Sequence, residues 1–186
     1  SNMNCFLNNF GIDSSIHLTR SIDKIIIVPL LDFTSVGLYQ FNLQILLGFE
    51  MLPIALHNYL LSEESSNQKH KKIEFFALLL SIIVIIIVIF LSPIIIPLLF
   101  SEYSDGILGL QIMILSLLPL TLGSIFSAKL QANNSKNSGT AVIVKVISFV
   151  ILLFMLGQFY GIIGLSIAIL TSYVIYALYL GILLKK

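Results

Sequence analysis

The chain alternates long apolar runs with short polar breaks. Apolar runs cover about 36–61, 74–100, 107–128, 141–157 and 162–184, and the breaks between them read SEESSNQKHKKI (62–73), SEYSDG (101–106), QANNSKNSG (131–139) and QFYG (158–161). A helix needs about 20 largely apolar residues to cross a hydrocarbon core of about 30 Å, so these runs predict transmembrane helices. The 74–100 run is almost pure Ile, Leu, Val and Phe. Pro93 and Pro97 are expected to kink or end it, because a proline removes a backbone donor and crowds the preceding turn. Pro119 and Gly123 mark points of distortion in the fourth run, and Asp32–Gly37 (DFTSVG) supplies turn-forming residues ahead of the second.

A further segment, about 12–33, has the length of a span but carries SIHLTRSIDK in its middle. At 100° per residue, Asp13, His17, Arg20 and Lys24 fall at about −40°, 0°, −60° and −20°, which places them on one stripe. Arg20, Asp23 and Lys24 together cost roughly +9 kcal/mol at the centre of a span, against roughly −5 kcal/mol returned by its apolar residues. Alone in lipid such a helix is unfavourable, so the stripe must face other helices or a wet cavity. Ionisable groups in that position are functional candidates. In the second run Glu50 lies near the middle, and its spacing from Pro53 and His57 puts all three on one helical side. Two roles are open for Glu50: a neutral or hydrogen-bonded carboxyl packed between helices, and a charge partner of Arg20 or Lys24, or an ion-coupling group.

Charge fixes an expected orientation. Outside the first segment, Lys69, Lys71 and Lys72 flank one break, Lys129, Lys136 and Lys145 flank another, and Lys185 and Lys186 end the chain, while the alternate connections contain no Lys or Arg. Cytoplasmic loops are enriched in Lys and Arg. Six spans (12–33, 36–61, 74–100, 107–128, 141–157 and 162–184) with both termini cytoplasmic satisfy this rule at every loop. Lys145 is close enough to the start of its span to snorkel to the interface, and Tyr39, Tyr59, Tyr103 and Tyr160 near span ends read as interfacial anchors. A re-entrant or interfacial path for the first segment is the alternative. Residues 1–11 form a cytoplasmic N-terminal segment or tag remnant, with Ser1 and Asn2 ahead of Met3, and they contain no cleavable signal pattern. Asn133, Asn134 and Ser135 fit a glycosylation acceptor, but this topology leaves them on the cytoplasmic side.

Composition agrees with a multi-pass membrane protein: 58% of residues are hydrophobic and 10% charged, with a mean hydropathy of +1.03, against about 45–50% apolar and about 25% charged in soluble domains. A net charge of +1 without a basic face excludes a nucleic-acid partner. The single cysteine, Cys5, excludes an intrachain disulfide framework and a cysteine metal site. His17, His57 and His70 show no metal-ligand spacing, and no hydrolase, nucleotide or paired-carboxylate motif occurs. Neither a cofactor nor an enzymatic activity is expected. An intramembrane enzyme using His17 and Asp23 would need an acid and base about 120° apart on the helix.

Several segments together resemble the polysaccharide flippases of the multidrug, oligosaccharidyl-lipid and polysaccharide exporter superfamily. SIDKIII followed by SVGLYQFNLQI is similar to that family's Asp and basic residue before an apolar run and a "vGlY" helix start. PLLFSEYSDG resembles its proline, "llfG", Tyr segment, with Ser101 where Gly is usual, and YGIIGLSIAILTS resembles the entry to a later helix. The resemblance implies an all-α, MATE-like transporter of two six-helix lobes around a central cavity, of which residues 12–186 would form the C-terminal lobe. It implies a plasma-membrane location, a lipid-linked oligosaccharide as substrate, and a missing N-terminal lobe or a second copy as partner. The family's Asp and basic pair carries over onto Asp23 and Lys24. On physical grounds Arg20, Lys24 and His17 are expected to bind the diphosphate of the substrate, with Asp23 and Glu50 as charge partners or ion-coupling groups; the alternative is that Arg20 pairs with Asp23 or Glu50 as an interhelical clamp without a ligand. A proton- or sodium-coupled exporter of organic cations and a purely structural membrane subunit are the alternatives.

Overall fold

The computed structural model of the chain describes Ile27 and residues 31–64, 71–132 and 138–185. His17, Arg20, Asp23 and Lys24, and with them nearly all of the expected first span, lie outside the described residues. Ile27 is helical and fully buried in the principal core, and its carbonyl accepts the Leu31 N–H at 3.1 Å.

Helix α1 spans Phe33–Glu64. The run expected as a turn is its N-terminal cap: Asp32 Oδ2 accepts the Ser35 N–H at 3.2 Å and Oδ1 accepts the Ser35 hydroxyl at 2.6 Å. These bonds satisfy a donor that the helix itself leaves open, and they hold the exposed Asp32 carboxyl below its ordinary pKa. Tyr39, Asn42, Leu46, Glu50, Pro53, Leu56 and Leu60 are buried at spacings of three and four, forming a single packed face. Tyr39 is 0% exposed and is therefore core, not an interfacial anchor; the face that carries Asn42 and Leu46 carries it inward too.

Helix α2 is Lys71–Leu99 and keeps Pro93 and Pro97 inside it, ending two residues after Pro97. Pro93 lacks the N–H that would bond the Ile89 carbonyl. The side chain of Gln111 supplies the missing donor, its Nε2 standing 3.1 Å from that oxygen. A narrow stripe of Ser81, Val84, Ile85, Val88, Ser92 and Ile96 packs inward, while Phe76, Phe90, Ile94 and Leu98 are exposed on the outside, as lipid-facing side chains are.

Ser101–Gly106, expected as a turn, is a short 3₁₀ helix. It leads into α3, Ile107–Ile114, and α4, Leu117–Ala132. The fourth run is thus broken at Leu115 and Ser116. Pro119 accounts for the position, because its ring crowds the carbonyl four residues earlier, that of Leu115; Ser116 Oγ takes up the Met113 carbonyl at 2.6 Å. Gly123 distorts nothing. A Cβ there would stand 2.6 Å from Tyr176 Cε1, so this glycine is a notch in which Tyr176 seats.

The last element, α5, is Ser138–Leu184, interrupted at Gly161, whose φ of 54° and ψ of −132° are open to glycine and strained for other residues. Its two arms fold back on each other. Thr140 Oγ1 lies 3.4 Å from Tyr179 OH, Lys145 Nζ lies over the Tyr173 ring, and a Cβ on Gly157 would meet Leu165 at 3.0 Å. Residues far apart near the ends and close together near Gly161 are thus in contact, the signature of an antiparallel hairpin.

Three stretches among the described residues, Lys71–Leu99, Ser101–Ala132 and Gly139–Leu184, are long and apolar enough to cross a membrane. Helix α1, diluted by Gln40, Asn42, Gln44, Glu50 and His57, is not among them. Contacts assign the bundle two ends. Asn42 Nδ2 donates to the Gly106 carbonyl at 2.8 Å, Phe41 stacks on Tyr103 at 4.2 Å, and Gly109 packs on Ile162. At the opposite end Leu60, Ile73 and Ala128 share one cluster, Leu130, Ala141 and Leu180 share another, and Lys129 meets Glu74 at 2.7 Å. Lys71, Lys72, Lys129 and Lys185 all belong to this second end.

Candidate functional site

Between α1 and the two arms of α5 lies a cavity of about 60 Å³, lined by apolar Leu43, Leu46, Leu47, Phe149 and Ile169 and by Tyr39, Glu50, Lys145, Ser172 and Tyr173. That volume exceeds the roughly 10–15 Å³ one water requires. Each polar member is placed by its helix. Glu50 follows Leu46 by one turn on the packed face of α1. Lys145 is two turns into the first arm of α5, and Tyr173 and Tyr176 are one turn apart on the second.

Glu50 is 5% exposed, and its Oε1 accepts the Tyr173 hydroxyl at 2.6 Å. That length matches the 2.5–2.7 Å typical of a hydroxyl donating to a carboxylate. Lys145 Nζ stands 4.7 Å from the centroid of the Tyr173 ring and 5.6 Å from that of Tyr176. Both distances lie within the roughly 6 Å over which an aromatic face attracts a cation. Tyr173 therefore serves two charges at once, its edge donating to the acid and its face receiving the ammonium. Low dielectric around the apolar lining strengthens both attractions.

Lys145, expected to be able to snorkel, is half-buried and sets its ammonium against the aromatic faces of the second arm in the wall of the cavity. Glu50 and His57 also part company: His57 Nδ1 lies 3.1 Å from the Ser124 carbonyl of α4, whereas Glu50 turns to α5. A common helical side brought them near different neighbours. Of the sequence candidates, only Glu50 is within the described residues; His17, Arg20, Asp23 and Lys24 are outside them. Tyr173 and Lys145 escaped the sequence reading, although Tyr173, Tyr176 and Tyr179 recur every three residues in a segment with no other aromatic-rich face.

The site thus combines a buried acid with a half-buried phenol and a half-buried lysine around one cavity. No protein-family model matches the sequence, and no curated protein matches it significantly. Among solved structures the chain is similar to the outward-facing conformation of a multidrug resistance MATE family transporter of the MOP superfamily, with a TM-score of 0.70 and 18% identity over 96% of this chain. The chain thus has the fold of part of that transporter, and it spans 43% of that chain's length. The apolar helices and this fold mark a membrane protein.

Proposed function

We propose that the chain is one lobe of an alternating-access membrane exporter and that its cargo is an isoprenoid-diphosphate-linked oligosaccharide, moved from the cytoplasmic to the external leaflet. The observation that carries this reading is cationic: among the described residues Lys145 puts an ammonium in a cavity wall, and the sequence adds the stripe of His17, Arg20 and Lys24. A diphosphate needs several convergent donors, with Arg offering a fork and Lys a point charge. The flippase-like segments around Asp23, Lys24, Ser101 and Gly161 support the same cargo. In this reading Asp23 and Glu50 balance or couple the charge, the chain works with a second lobe or a second copy in the plasma membrane, both termini are cytoplasmic, and the lobes rock about a midplane site. The protein binds and moves its cargo without changing a bond in it.

A second reading, an exporter of organic cations, is favoured by one observation: the buried acid Glu50 faces an apolar, tyrosine-lined cavity. The solved transporter of similar fold is described as a multidrug resistance transporter. The experiment that decides between them is binding to the purified chain in lipid nanodiscs. An isoprenoid diphosphate should bind and lose at least about tenfold in affinity, about 1.4 kcal/mol, in Arg20→Gln/Lys24→Gln. Glu50-dependent binding of a cationic dye, with no binding of the diphosphate, would replace the first reading by the second.

A further inference from the structure

The Glu50 cavity has the parts of a receptor for a small organic cation. It contains a buried carboxylate with the Tyr173 ring beside it, and aliphatic side chains line most of the rest. Aromatic faces joined to an acid are what quaternary ammonium ligands require. In this chain a cation is already there. The Lys145 ammonium lies over both rings, 4.7 Å and 5.6 Å from their centroids, while the hydroxyl of the nearer ring donates to Glu50. Its placement is built from several directions. Gly123 of α4 leaves the notch in which Tyr176 seats, and the hairpin at Gly161 brings the first arm of α5 against the second.

We propose that Lys145 is a tethered resident cation of the Glu50–Tyr173 cavity, and that by filling this place it excludes free organic cations from the lobe. This rests on the proposed reading of the chain as a lipid-diphosphate carrier and deepens it by naming the side chain that sets the charge selectivity of the wall. An ammonium held on a four-carbon stem outcompetes a free one because its translational freedom is already spent. The lysine also leaves the wall with a cationic contribution, of the sign suited to an anionic cargo. Removing the side chain should therefore reveal the cation receptor beneath it.

The test is titration of tetramethylammonium into the purified chain in nanodiscs. Lys145→Ala should bind it at least about tenfold more tightly than the unaltered chain, about the effect of one cation–π site. The gain should vanish in Lys145→Ala/Glu50→Gln. Lys145→Met, which keeps the stem without the charge, should show no gain because the space stays filled. A folded Lys145→Ala protein without the gain overturns the inference, as does equal binding by the unaltered chain. Should Lys145→Ala fail to fold, thermal unfolding of Lys145→Met, Glu50→Gln and the double variant gives a second reading: Lys145→Met should lose several degrees that the double variant recovers, and strictly additive changes overturn the inference. Failure of the unaltered chain to bind an isoprenoid diphosphate would end the cargo reading while leaving the tetramethylammonium gain in place, so the two can fail separately.

Discussion

Glu74 and Glu50 are both acids held between helices, yet their settings differ in every respect that determines energy. Glu74 meets Lys129 directly at 2.7 Å at the lysine-rich end of the bundle, with the two side chains 16% and 29% exposed. Glu50 lies in the interior at 5% exposure and accepts a hydrogen bond from the Tyr173 phenol at 2.6 Å, whose ring also lies under the Lys145 ammonium. At the rim, partial exposure lets water and salt share in stabilising both charges, so pairing adds less than it would in the interior. In the interior each polar atom depends on a specific protein partner, and removing one strands the others. The rim pair links α2 to α4 cheaply. The interior group is a commitment of the fold to holding charge where lipid and protein would otherwise exclude it.

The comparison can be broken experimentally, beginning with the largest effect. Tyr173→Phe removes the donor to Glu50 and should cost about 1.5–3 kcal/mol, the range for hydrogen bonds to charged groups, read as a lower unfolding temperature in detergent. Gly123→Ala drives a Cβ into the Tyr176 ring and should cost about 1–3 kcal/mol by overpacking; Tyr176→Leu, which empties the notch, should relieve most of this loss. Lys129→Met at the rim should cost about 1 kcal/mol or less, and the difference should shrink in 1 M salt, where screening acts within about 3 Å. If Lys129→Met costs as much as Tyr173→Phe, rim and interior are not distinct. Smallest is the α1 cap. Asp32 has its pKa lowered by the two bonds to Ser35, so its contribution is complete above the ordinary carboxylate range and is lost as pH falls through the lowered value. Amide exchange at Ser35 should quicken across that acid window, and in Asp32→Ala it should be fast at every pH.

How much of this was legible in the residues depends on whether a feature is local. The apolar runs placed α2 and both arms of α5, and QFYG located the reversal that Gly161 makes. Pro119 announced a distortion, but its steric reach displaced the break to Leu115 and Ser116. Partner choice was not legible. Periodicity put Glu50, Pro53 and His57 on one face, yet it could not say that Glu50 would find Tyr173, a residue 123 positions away, while His57 found Ser124. Tyr39 was misplaced for a related reason: a tyrosine near a span end suits the interface when judged alone, and only the neighbouring helices reveal its place in the core. The stripe of His17, Arg20, Asp23 and Lys24 was read from the residues and stands as a proposal.

The reversal at Gly161 also bears on how the Lys145 site is assembled. Lys145 and the tyrosines that receive it sit on opposite arms of one hairpin, within about thirty residues of each other along the chain, so bringing them together needs little loop closure, while α4 adds the notch that seats Tyr176. The arm bearing Lys145 carries one charge, which costs at most about 3.5 kcal/mol even at a span centre, less than the arm's apolar residues return. Paired with the second arm, it presents an apolar exterior with the ammonium already sheltered. Gly161 is therefore the residue whose backbone lets Lys145 meet its aromatic partners through contacts local in the chain.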